Sequence, residues 1–315
     1  MRFRFYRLRF YFQAGDSLYF PPGKTGNVLR GAFGSIFRKI ACVPGCEDAR
    51  TCELRASCAY ARIFEPTALG DSPSGLSDWP RPFVFRASHL DGRTVTRREH
   101  FHFDVHLFQL HDPVIAYFVL TFAQLAREGL GPGRGRATLE RVDQLDAAGE
   151  VVRVVFDGRT LAGSGEFAAT ELCLDAGVGD RDVRRLTVRF LTPTELKVGQ
   201  KVTHRPDFAV LAGRVRDRLS TLSDLYGDGP LEMDFAGYGR RAELVRMTRC
   251  EVRTMDVERV STRTGQRHFL GGFVGEAEYE GELGEFVPFL EAGRFTGVGR
   301  QTTWGKGEIE VVVLG

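Results

Sequence analysis

The stretch EHFHFDVHLF, residues 99–108, sets three imidazoles and a carboxylate at every second position. In a β-strand that alternation puts His100, His102, Asp104 and His106 on one face, with Phe101, Phe103, Val105 and Leu107 on the other. Histidine titrates close to neutral pH, so such a face can supply a general base and a general acid, with Asp104 orienting a neighbouring ring. A solvated strand face is the plainer alternative, because His and Asp tolerate exposure. His268, beside the turn TRTGQR (262–267) with Arg263 and Arg267, is a second candidate. His204 and Arg205, just before Pro206, are a third.

A different chemistry is written in CVPGCEDARTCELRASC. Cys42, Cys46, Cys52 and Cys58 fall within seventeen residues, spaced C-x3-C-x5-C-x5-C. Four thiolates close a tetrahedral shell around Zn2+, and short spacings let one small knuckle supply every ligand. An iron–sulfur cluster takes the same donors and is the alternative. Zinc is favoured because a small structural knob needs no redox partner, and four cysteines leave no open position for catalysis. Cys173 and Cys250 are isolated and are expected as buried small hydrophobes.

Two glycine-rich loops carry arginines. Residues 129–142 read GLGPGRGRATLERV, and residues 293–311 read GRFTGVGRQTTWGKGEIEV. Both follow an apolar helix pattern and lead into a strand. Dinucleotide and P-loop sites run strand, loop, helix, so that the helix amino terminus faces the phosphates. The order here is the reverse, and neither loop contains G-x-G-x-x-G or G-K-[ST], which argues against a nucleotide cofactor. The recurrence points instead to a duplicated unit.

The elements around the loops fit that duplication. A strand is expected over about residues 2–12, with a phase slip near Tyr6 and Arg7 that reads as a bulge. A helix follows over about 27–40 with Leu29, Phe33, Ile36 and Ile40 as its stripe. Strands near 82–86 and 98–110 precede a helix with Asp112 as N-cap, Pro113 in its first turn and Gly129 as its stop. A last strand completes β-α-β-β-α-β, the ferredoxin-like order. The sequence thus predicts an α+β protein of two tandem ferredoxin-like domains. Domain one spans 1–150 with a Cys-rich insertion at 42–66, a β-rich connection spans 151–184, and domain two spans 185–315. In the second copy RLTVRFLTPTELK opens the strand, and Pro206 starts a helix with Phe208, Leu211, Val215, Leu219, Leu222 and Leu225 on one side.

The net charge of the 315 residues is only +2, but the charges are segregated. Arg2, Arg4, Arg7 and Arg9 crowd the first strand, Arg181, Arg184, Arg185 and Arg189 cluster mid-chain, and acids gather at 275–285. That leaves room for a basic face. The amino terminus alternates Arg with aromatics, unlike a signal peptide, and no apolar run approaches the roughly 18 residues of a membrane span. A cytoplasmic protein with reduced cysteines is expected.

The stretch from Gly271 to Val311 resembles the carboxyl-terminal signature of the CRISPR precursor-RNA-processing endoribonucleases of the RAMP superfamily. LRGAFG (29–34), FDVHLF (103–108) and GLGPGRGR (129–136) fall where that family's other common segments lie. The resemblance implies RRM-like domains whose glycine-rich loops contact RNA, with Arg134, Arg136, Gly297, Gly299, Arg300 and Lys306 as the RNA-binding positions. It implies CRISPR repeat RNA as partner and cleavage without a metal, by 2′-hydroxyl attack that leaves a 2′,3′-cyclic phosphate. The family's catalytic histidine commonly follows the first helix, whereas here no His precedes Ser88. The catalytic candidates are therefore His102, His106 and His268. A non-cleaving RNA-binding subunit of a CRISPR effector complex is the alternative.

Overall fold

The computed structural model of the protein describes residues 1–70, 76, 79–109, 113–163, 167–175, 182–199, 201–260, 267–269 and 271–314. The chain divides into two compact units, one formed by Phe5–Thr170 and the other by Met1–Arg4 with Glu171–Gly315.

The first unit contains β1 (Arg2–Ala14, from Phe5 onward), α1 (Thr25–Ala41), β2 (Phe83–Arg86), β3 (His100–Leu107), α2 (Val114–Glu128), β4 (Ala137–Leu145) and β5 (Val151–Phe156). Its sheet runs β2-β3-β1-β4-β5 with antiparallel neighbours. Helix α1 buries Leu29, Phe33, Ile36 and Phe37, while Ile40, expected on the stripe, is 36% exposed. Apolar spacing in α2 predicts Val114, Ile115, Phe118, Val119, Phe122 and Leu125 on one face; all are buried but Val114, which is half-buried. Pro113 stands at its N-cap position, Asp112 lies outside the described residues, and Gly129 ends the helix at φ +117°.

The core between sheet and helices is aromatic. Phe33 stacks on Phe118 at 4.6 Å, Phe10 meets Phe122 at 5.0 Å, and Phe12 meets Phe103 at 5.2 Å. Such pairs add about 0.5–1.5 kcal/mol each beyond area burial.

Two expectations change. The phase slip at Tyr6 and Arg7 is not a bulge in the pairing with β3, where Tyr6 faces Leu107 and Arg7 faces His106 in unbroken register. The strand changes its buried face there: Leu8, Phe10 and Phe12 point to the helices, whereas Phe5 is buried on the opposite side against the His106 ring. The actual register shift falls at Tyr11/Phe12, against β4. The second change concerns Val151–Phe156, expected in the connection, which pair with β4 as part of the first sheet.

The second unit contains β6 (Arg185–Thr194), α3 (Phe208–Tyr226), α4 (Phe235–Glu243), β7 (Arg246–Met255), β8 (Gly272–Glu280), α5 (Val287–Thr296) and β9 (Ile309–Leu314). Its sheet runs β7-β8-β6-β9, again antiparallel. Helix α3 buries Phe208, Leu211, Val215, Leu219 and Leu222, while Leu225, expected on the same side, is only half-buried. Helix α4, capped by the Asp234 side chain on the Gly237 N–H, has no counterpart in the sequence reading. Among the described residues no helix is long and apolar enough to cross a membrane.

Candidate functional site

The face of the first sheet that bears the histidines is set by the neighbours of β3. Arg7 pairs with His106, Arg9 with Asp104 and Tyr11 with His102 across β1. Asp104, only 4% exposed, accepts from Arg9 Nε at 2.7 Å and from Arg7 Nε at 2.8 Å. Burial alone would raise its pKa, but the Arg9 hydrogen bonds and the Arg7 charge overcome that and hold it below the ordinary carboxylate value. Asp104 is thus engaged by two guanidinium groups rather than by an imidazole.

The four alternating residues share a face but not an environment. His106 is 3% exposed, with its ring 5.8 Å from Phe5. His102 is half-buried, and burial, with the charges of Arg9 and His89, pushes its pKa down to about 4, so its imidazole is neutral at neutral pH. Its ring stacks on His89 at 4.7 Å, and His89 Nε2 lies 2.9 Å from the His102 carbonyl oxygen. His100 is exposed and meets Glu140 at 3.2 Å. His89 was not singled out from the sequence. It is a lone histidine in the turn after β2, and only the β2-β3 pairing brings it to His102.

His268 sits opposite Arg259 in a two-stranded ribbon, and residues 261–266 of the adjoining turn, Arg263 included, lie outside the described residues. His204 is exposed, and the neighbouring Arg205 bonds Asp207 at 2.8 Å.

The two glycine loops share a backbone design. After α2, Gly129 and Gly131 have positive φ, Arg134 is left-handed at φ +50°, and Leu130 N–H donates to Gly135 O at 2.8 Å. After α5, Gly297 and Gly299 have positive φ, Gln301 is left-handed at φ +59°, and Val298 N–H donates to Gly307 O at 2.9 Å. Leu130 and Val298 are both buried. A Cβ on Gly307 would run into the Val298 carbonyl, so close backbone approach fixes that position as glycine.

The cations of the loops differ in aspect. Arg134 and Arg136 are exposed, and Arg136 bonds Asp16 through Nε at 2.9 Å. Arg300 is half-exposed while its Nη1 reaches Glu195 at 2.5 Å. Lys306 is 2% exposed with its ammonium turned inward, donating to Gly271 O at 2.7 Å and Gln301 Oε1 at 3.0 Å. Burial drives its pKa down to about 8 against the pull of Glu195 at 3.7 Å.

The basic face expected from charge segregation is largely neutralised. Arg185 bonds Glu278, Arg189 reaches Glu310 at 3.1 Å and Glu276 at 3.4 Å, and Arg249 also bonds Glu276. Arg184 bonds Asp182 and Glu282, Arg2 and Arg4 bond Glu171, and Arg181 lies outside the described residues. The acids and arginines that are apart in sequence face each other across adjacent strands.

The cysteine segment follows α1 directly. Cys42 is pushed up to about 12 by burial and by the facing Cys58 and Cys46 thiols, and Cys46 in turn faces Cys52. The four donors are therefore neighbours, although among the described residues no group of three or more ligands closes to a metal-binding arrangement. Cys173 and Cys250, expected to be buried, are both exposed.

Comparison with known proteins gives two family matches. Residues 3–168 match the family model AF_1859_N, an N-terminal domain, and residues 188–309 match the CRISPR-associated endoribonuclease Cas6 model. A protein of Archaeoglobus fulgidus, described only as uncharacterized, is 25% identical over 305 residues, covering 92% of this chain and 93% of that one. Among solved structures, a Cas6 product complex is similar with a TM-score of 0.54 at 19% identity, over 98% of this chain and 99% of that one. Thermus thermophilus Cas6 gives 0.53 at 18% identity, over 98% of each chain. A partial Cas6-RT-Cas1--Cas2 complex gives 0.56 at 11% identity, over 99% of this chain and 46% of that one. At these identities the structural likeness speaks to the fold, and the family assignment rests on the sequence models. The chain belongs to the AF_1859_N family, whose N-terminal domain matches residues 3–168, and its residues 188–309 form a domain of the CRISPR-associated endoribonuclease Cas6 family.

Proposed function

We propose that this protein binds CRISPR repeat RNA and cleaves it into guide units, using two tandem ferredoxin-like domains. The observation that carries this reading is the Cas6 match over 188–309, which contains the whole glycine loop from Gly297 to Gly307. The strand orders β2-β3-β1-β4 and β7-β8-β6-β9 support the ferredoxin-like part, since each places the first strand of its unit between the third and the fourth.

The reaction is in-line attack by the ribose 2′-oxygen. The 2′-O–P bond forms, the P–O5′ bond breaks, a base takes the 2′ proton and an acid protonates the 5′-oxygen. His102 is neutral at working pH and so can accept a proton, and His89 stacks beside it. His106 and His268 remain candidates for the partner role. Arg300, with about half its side chain in solvent, is the loop cation available to a phosphate, while Gly297 and Gly299 let the loop backbone come close. Cys42, Cys46, Cys52 and Cys58 suit a structural zinc by donor type and by their mutual contacts. Bound there, the metal would tie the segment after α1 together and take no part in the cleavage.

A second reading, an RNA-binding subunit that does not cleave, is favoured by the burial of His106 and the capture of Asp104 by two arginines. Incubating the protein with end-labelled repeat RNA in EDTA separates the two. Products ending in a 2′,3′-cyclic phosphate and a free 5′-hydroxyl support the enzyme. Tight binding without products supports the second reading, and absence of binding overturns both.

A further inference from the structure

The loops at the end of β1 in the first sheet gather more cations than the carboxylates there pair with: Asp16 feels the charge of Arg97, and Glu128 that of Arg134, without an ion pair to either. Two segments are pinned to the end of β1 there. Arg98 N–H donates to Ala14 O at 2.7 Å, while Gly15 and Asp16 N–H donate to Arg136 O at 2.8 and 3.0 Å. Residues 96–99 and 131–136 are thus brought together around Asp16, although more than thirty residues separate them in sequence.

The acids nearby are already engaged. Asp16 bonds Arg136, Glu99 bonds Arg93 at 2.9 Å and the Thr96 N–H at 2.9 Å, and Glu128 bonds Lys39 at 3.2 Å. Arg97, Arg98 and Arg134 are exposed and form no ion pair among the described residues. Arg98 and Arg134 are also left-handed, at φ +70° and +50°, a conformation that glycine adopts freely and an L side chain resists. Among the described residues, two of the three positive-φ residues other than glycine are therefore arginines at this one place, each held there against its backbone preference. The loop tip beside them is open: a Cβ on Gly133 would meet nothing within 4 Å.

We propose that Arg97 and Arg98 join Arg134, the RNA-binding position already expected in the first glycine loop, to form one contact surface for the RNA phosphate backbone within the first unit. The proposal rests on the repeat-RNA reading above and adds where a further part of that RNA is held. Guanidinium forks bind phosphate oxygens in pairs, and three exposed ones carried on two segments that meet at the end of β1 suit a chain of phosphates better than a single anion.

The left-handed backbone supplies a clean test. Arg98→Gly and Arg134→Gly remove the charges while relieving the conformation, so with Arg97→Ser the triple variant keeps its fold and melts no lower than the parent protein. Repeat-RNA affinity is measured for both from 50 to 200 mM salt. Three lost phosphate contacts, at roughly 0.7 counterion each, lower the log–log salt slope by about 2. The affinity deficit of the variant then shrinks about 20-fold across that range. An unchanged slope in a variant that binds beside a normally binding parent overturns this surface alone. A parent that does not bind repeat RNA overturns the functional reading and this surface with it. Should the triple variant misfold, Arg97→Glu, at an exposed position with ordinary backbone, gives the same readout. It should weaken binding at 50 mM and lose most of that defect at 200 mM, and wild-type affinity at both would again reject the surface.

Discussion

Replacing Lys306 by Met separates the architectural part of the carboxyl-terminal loop from its RNA-facing part. The ammonium is 2% exposed, its hydrogen bonds end on Gly271 O and Gln301 Oε1, and burial lowers its pKa from 10.5 to about 8. Removing it leaves two buried acceptors without that donor, at about 1–3 kcal/mol, but also removes a buried charge whose depressed pKa corresponds to about 3 kcal/mol. Near pH 7 these nearly cancel, and Lys306→Met should lie within about 2 kcal/mol of the parent protein. The pH dependence does not cancel. Between pH 8 and 10.5 the unfolded chain still holds the Lys306 proton and the folded chain has released it, so parent stability rises with pH in that window and is lost again as pH falls through 8. The parent should therefore gain about 2 kcal/mol on the variant between pH 7 and 9.5. Urea unfolding of both proteins at each pH measures it, and other titrating groups drop out of the difference. In RNA binding the same variant should keep the parental salt slope, whereas Arg300→Ala should lower it by roughly 0.7. A stability difference that stays flat from pH 7 to 9.5, or a salt slope reduced by Lys306→Met, would refute the inward-facing ammonium.

The cysteine segment should retain close to one zinc per chain through purification, with four thiols protected until the metal is removed; metal-free protein whose thiols all titrate freely, at unchanged stability, would sink the zinc assignment. If His102 is the base, His102→Ala should reduce the single-turnover cleavage rate roughly a hundredfold or more while RNA affinity stays nearly intact. Because the His102 pKa is held near 4, the parent rate should not fall from its protonation until pH approaches 4, and a full rate in the alanine variant would exclude this role.

What could be read from the sequence was local. Helices α1 and α2 and the order of the main strands follow from apolar spacing, because a 3.6-residue period and a two-residue period are written in each segment on its own. The failures sit where packing between segments decides. Ile40 and Phe37 both satisfy a helical stripe, but only Phe37 faces Tyr60 and Tyr117, so Ile40 is left in solvent. Val151–Phe156 reads as a strand with no stated neighbour, and only the free edge of β4 assigns it to the first sheet. Helix α4 has mixed composition, with Gly237 and Gly239 inside it, and is held by the Tyr238 ring among Phe286 and Phe289 rather than by propensity.

The site was harder to read for the same reason. Alternation correctly puts His100, His102, Asp104 and His106 on one face, yet alternation says nothing about what stands opposite. Arg7 and Arg9 come to Asp104 only because β1 lies beside β3, and His89 comes to His102 only because β2 does. Cross-strand register likewise cancels the charge segregation that promised a basic face, since Arg185 and Arg189 lie against Glu278 and Glu276. The glycine loops carry this furthest. Their backbones repeat one device: positive-φ glycines, a buried aliphatic residue, and one left-handed residue other than glycine. At that last position the first loop holds Arg134, which points its charge into solvent, and the second holds Gln301, whose side chain receives the buried Lys306. Identical turn chemistry therefore yields an outward cation in one unit and an inward one in the other. Composition counts both as loop cations, and only the direction of the side chain tells which can meet a phosphate.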